Sequence, residues 1–139
     1  MDEIDPQLIA AARGDIPAAF TEVIAADIAP HGRAAVVLLD TAPDSGGYPY
    51  QVVCHMERGG WMEGMSGNVP GWTSIEAGEE EDLGVLTWWD DAPEGTRVAV
   101  LRVGDVLAEV PVADGYAFYV AWDVPCPEGD GFPELLRFT

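Results

Sequence analysis

The spacing of apolar and polar positions changes period once along this chain. Between Asp5 and Gly14, the apolar residues Leu8, Ile9 and Ala12 share one face of a helix. Asp5 is placed to cap the free N–H groups, and Pro6 takes the first helical position, where a missing N–H costs nothing. Gly14 ends this helix, and Asp15 can open a second short one over 16–21. The next stretch supports two readings. Ile16, Phe20, Val23, Ile24 and Ile28 make a helical stripe, while Pro30-His31-Gly32 is a tight turn between two apolar segments of a hairpin, 22–29 and 33–40. Short apolar runs do not settle the period, so 22–29 stays open between helix and strand.

Beyond Gly32 the pattern is that of β-strands. Residues 34–39 form a continuous apolar run, as a strand covered on both faces does. A turn-rich loop over 43–47 leads to 50–58, where Val52, Cys54 and Met56 alternate with Gln51, His55 and Glu57. Gly59-Gly60 predicts a hairpin turn into 61–66. A long loop over 67–82 holds Asn68, Pro70, Trp72 and the run Glu79-Glu80-Glu81-Asp82. Strands follow at 83–89, 96–103, 106–112, 116–124 and 135–138, separated by the turns Asp90 to Gly95, Gly104-Asp105, Asp114-Gly115 and Pro125 to Gly131. In 106–112, Val106, Ala108, Val110 and Val112 point one way, and Pro111, which lacks an N–H, argues for an edge or a strand end. Seven to nine short strands with turns between them predict a mainly β protein, an antiparallel sandwich, as a single domain over 1–139 with a helical segment at 1–21 and the sandwich at 22–139.

Composition narrows the function classes. The 139 residues include 25 Asp and Glu against six Arg and no Lys, a formal net charge of −19. Six scattered Arg cannot build the basic face that a phosphate backbone or an anionic membrane requires, so nucleic-acid and membrane binding are not expected. The acidic start and the absence of a long apolar run predict a soluble, cytoplasmic protein. Cys54 and Cys126 are the only thiols; both are expected to be free and to act as small buried hydrophobes.

Two stretches carry a resemblance. One runs from Tyr50-Gln51-Val52-Val53-Cys54-His55 through Gly60-Trp61 and Ser66-Gly67-Asn68 to Gly71-Trp72. The other runs from Leu83-Gly84-Val85-Leu86-Thr87-Trp88-Trp89 to Val110-Pro111-Val112-Ala113-Asp114-Gly115-Tyr116 and Trp122-Asp123-Val124-Pro125. Together they resemble a group of small uncharacterised proteins from high-GC bacteria with an immunoglobulin- or fibronectin-like β-sandwich. The resemblance covers roughly residues 20–139 and implies a fold but no activity. A true immunoglobulin signature is not met: Cys126 lies between two prolines after the strand, and Val124 stands where a corner Tyr is expected.

Candidate chemistry is sparse. Cys54 and His55 are adjacent on a strand and leave opposite faces, so they do not chelate one zinc ion, and no Cys-x-x-Cys occurs. A Ser66–His55 pair across the hairpin is the nearest approach to a nucleophile with a base, and burial of Cys54 disfavours its thiolate. His31 reads as a turn residue. The loops Asp90 to Gly95 and Glu128 to Gly131 offer oxygen ligands of the kind calcium takes, without the EF-hand spacing. No catalytic residue, metal ligand or cofactor is assigned. The aromatic surplus is more informative. Trp88 and Trp89 are consecutive on a strand; with Trp88 inward, Trp89 faces either a second layer or solvent. The solvent reading gives an acid-rimmed interaction patch of Trp89, Asp90 and Asp91, with Trp61 and Trp72 contributing. The expected function is a non-enzymatic acidic interaction module for a protein partner with a basic surface. The alternatives are a small-ligand or carbohydrate binder using exposed Trp beside acidic loops, and an enzyme with an unrecognised site.

Overall fold

The computed structural model describes residues 5–14, 16, 21–30, 32–41, 47–67, 70–74, 83–113, 115–128 and 131–139. Expectations for the second helix at 16–21, His31, the loop at 43–47, Asn68, the acidic run 79–82, Asp114 and the Gly129-Asp130 segment fall wholly or partly outside them. Among the described residues the chain is mainly β, with one short helix and ten strands in two antiparallel sheets, against the seven to nine strands expected. It divides into two compact units, Met1–Val69 and Pro70–Thr139.

The first unit holds helix α1 (Pro6–Arg13) and strands β1 (Glu22–Ile28), β2 (Ala34–Asp40), β3 (Pro49–Glu57) and β4 (Gly60–Gly67), which pair in chain order. Residues 22–28 are therefore strand, and register with β2 decides what periodicity left open. Asp5 caps α1 by accepting the Gln7 N–H at 2.9 Å. Leu8 and Ala12 of the helix pack with Ala35, Val37, Leu39, Val52 and Cys54 on one face of the sheet. On the opposite face Ala34, Val36, Leu38, Gln51 and Val53 are buried too, so the continuous apolar run of β2 has cover on both sides. The β3–β4 turn is displaced from its expected place. Glu57 pairs with Gly60, which leaves Arg58 (φ 51°) and Gly59 (φ 81°) as the turn residues. A two-residue hairpin loop of this kind needs positive φ at both central positions, and here Arg58 accepts one of them.

The second unit holds β5 (Trp72–Ser74), β6 (Leu83–Asp91), β7 (Val98–Val103), β8 (Val106–Ala113), β9 (Tyr116–Pro125) and β10 (Glu134–Phe138), in the order β10-β7-β8-β9-β6-β5. Strands β6 to β9 thus form a Greek key, a connection found in most β-sandwiches. Ala99, Leu101, Val110 and Ala117 centre its core, with Trp88, Tyr119, Leu135 and Phe138 packed against them. Pro111 is not on an edge, because β8 lies between β7 and β9. The proline sits where pairing with β9 stops: Val112 and Ala113 pair with β9, whereas Val106 to Pro111 pair with β7. Since the Val112 N–H turns toward Arg97, the missing N–H of Pro111 falls on the side of β9, where the ladder has ended.

The outer strands share one irregularity. Ile24 in β1, one residue of the Gly64-Met65 pair in β4, and Leu136 in β10 are extra residues with no counterpart on the inner neighbour, and β5 is only three residues long.

Candidate functional site

The expected patch does not form as an exposed aromatic surface. Trp89 retains only 8% of its accessible surface. It shares a face of β6 with buried Val85 and Thr87, while Leu86 is buried on the other face and Trp88 packs toward the core of the second unit. Alternation assigns Trp89 to water only if the strand has a water side, and β6 has none over this span.

Trp72 is also engaged. Its indole N–H donates to the Val124 carbonyl at 2.9 Å, and its ring lies over Gly84, where an added Cβ would come within 2.9 Å of Cε2 and collide with the Thr73 carbonyl. Just before it, Gly71 exchanges hydrogen bonds with the Thr87 hydroxyl, 3.2 Å from its N–H and 3.1 Å to its carbonyl. Trp72 is thus the anchor of the short edge strand β5. Trp61 belongs to the first unit, where it packs against the helix-covered core and donates to Asp5 Oδ2 at 3.3 Å.

Asp90 and Asp91 remain on the surface, at the exposed end of β6 opposite Ala117 and Tyr116. The Asp91 N–H donates to Asp90 Oδ1 at 2.9 Å. Partial desolvation raises the Asp90 carboxyl above its ordinary range, and the neighbouring Asp91 carboxyl pushes the same way.

The candidate nucleophiles are separated from bases. Tyr50 donates its hydroxyl to Ser66 Oγ at 2.6 Å, while His55 Nε2 lies 3.2 Å from Glu57 Oε2 on the sheet surface. Ser66 pairs with Val52, and His55 with Met62. Burial, reinforced by the charge of Glu63, pushes the Cys54 thiol up to about 11. Cys126, expected to be buried, is exposed; its flanking prolines hold it in the segment after β9. Among the described residues no three His, Cys, Asp or Glu side chains converge as a metal would require.

A different surface stands out at the opposite end of β7 from Asp90 and Asp91. The β7–β8 hairpin tip exposes Val106 (64%) and Leu107 (63%), and Phe132 (40%) is exposed before β10. An open groove of about 620 Å³ lies here, lined by Arg102, Gly104, Asp105, Glu128 and Gly131. The signal in the sequence was the apolar pair Val106-Leu107 directly after the Gly104-Asp105 turn. Alternation groups Val106 with Ala108, Val110 and Val112, but at a hairpin tip there is little core behind it.

No family model, curated protein or solved structure matches this chain. Among the described residues no helix is long and apolar enough to cross a membrane.

Proposed function

We propose that this protein is a non-enzymatic, acidic interaction module that binds a protein partner with a basic surface in the cytoplasm. The observation that carries the reading is where the charge sits. The second unit has 15 of the 25 Asp and Glu but three of the six Arg. Its described acids Asp90, Asp91, Glu94, Asp105, Glu109, Asp123, Glu128 and Glu134 are all exposed, and all but mid-strand Glu109 lie at or near strand ends and turns. Such a field accelerates encounter with a basic partner and is screened by salt. The carbohydrate-binding alternative needs exposed indoles; Trp89 is buried, Trp72 donates its N–H to the Val124 carbonyl, and Trp61 donates to Asp5 and packs against the helix-covered core. Free Cys54 and Cys126 fit a reducing compartment.

Affinity capture on the immobilised full chain tests this. A basic protein should be retained at low ionic strength and released as salt approaches about 1 M, where the Debye length is roughly 3 Å. Retention of no basic protein at any salt concentration removes the reading.

A further inference from the structure

The β7–β8 tip offers a partner more than charge. Register places Leu107, Arg102 and Glu134 side by side across β8, β7 and β10. Arg102 Nη2 is 2.8 Å from Glu134 Oε1, so the one cation among the described residues of the groove is already matched by a carboxylate. Asp105 and Glu128 then set the sign of the remaining groove charge. Val106 precedes Leu107 in the same strand, and consecutive strand residues point to opposite faces. Both are nearly two-thirds exposed, so the tip lacks cover on either face, and Phe132 adds an aromatic edge beside the groove-lining Gly131. Leu107 beside Arg102 and Phe132 next to Gly131 thus set exposed apolar side chains at the border of a negative groove, as an interface anchor does.

We propose that this groove is the docking surface for a partner segment presenting a Lys or Arg flanked by apolar side chains. The cation enters between Asp105 and Glu128, and the flanking groups cover Leu107, which lies beside Arg102, and Phe132, next to Gly131. A second copy of this chain is disfavoured as the occupant, because each copy carries −19 and the groove is itself negative. The inference rests on the basic-partner reading and adds to it a place and a requirement for apolar neighbours.

The test titrates the full chain at low salt with two synthetic peptides of equal length and charge, one repeating Leu-Arg and one repeating Gly-Arg, followed by backbone amide NMR. Both should shift the amides of Asp105 and Glu128, and the Leu-Arg peptide should bind about tenfold more tightly and also shift Leu107 and Phe132. The double variant Asp105→Asn/Glu128→Gln should weaken both peptides about tenfold. Leu107→Ser, at a site with no core behind it, should abolish the preference between peptides and leave distant amide signals unchanged. Binding with shifts confined to Asp90, Asp91 and Glu94 overturns the docking surface while the basic-partner reading stands. Binding of neither peptide at any salt overturns both.

Discussion

Trp61 hands its indole N–H to the same Asp5 carboxylate that caps helix α1, so one side chain both starts the helix and fastens it to β4. Asp5→Ala should therefore cost about 1 kcal/mol for the lost cap plus about 1 kcal/mol for the lost indole bond. Trp61→Phe should cost about 1 kcal/mol in the native background and less in the Asp5→Ala background. Urea unfolding of the two single variants and the double variant measures the difference. Equal cost of Trp61→Phe in both backgrounds would show that the bond contributes nothing.

Gly84 should tolerate no side chain. Its missing Cβ is the space occupied by the Thr73 carbonyl and the Trp72 ring. Gly84→Ala should displace β5 and destabilise the protein by about 1–3 kcal/mol, the range for overpacking. Trp72 emission should shift to longer wavelength, read against a Trp72→Phe control. An unchanged spectrum and an unchanged melting temperature would contradict the close packing.

Thiol chemistry should distinguish the two cysteines. Cys126 should react with a soluble disulfide reagent in the folded protein at neutral pH, and Cys54 only after denaturation. The Cys54 thiol moves up from 9.0 to about 11 on folding, so the native state holds its proton where the unfolded state has lost it. Stability should fall as pH rises through that window, and Cys54→Ala should flatten this slope.

Asp90 gives the same sign at low pH. Its carboxyl is raised in the folded state, so this group's contribution is most favourable below pH 3.8 and is lost as pH rises through the folded value. Asp90→Asn should be neutral or stabilising by a few tenths of a kcal/mol at pH 7, as expected for removing one of two adjacent like charges. Thermal unfolding checks the sign; a clear drop in melting temperature would mean that Asp90 has a favourable partner.

The two sequence signals that proved most legible were the Asp5-Pro6 start of α1 and the apolar run of β2, because capping and two-sided burial leave local marks. Other features depended on partners distant in the chain. Residues 22–28 became a strand because β2 supplies a ladder, and no local period could say so. Alternation leaves Trp89 facing either a second layer or solvent, because it counts faces without knowing what lies over them. The turn at Arg58-Gly59 slipped by one residue from the expected Gly59-Gly60, since Arg58 adopts a conformation more common for glycine. The groove at Asp105 and Glu128 joins positions more than twenty residues apart, and only the pairing of β10 with β7 makes them neighbours.

The extra residues in β1, β4 and β10 have a consequence for how this chain avoids its own kind. A regular outer strand is a template on which another molecule's strand can crystallise, and proteins often guard it with lysines, of which this one has none. A net charge of −19 opposes association of copies at neutral pH, and that repulsion falls away near the sequence isoelectric point of about 4.1. There the interrupted outer strands should still oppose ribbon-like polymerisation, a safeguard written into backbone spacing that titration cannot erase.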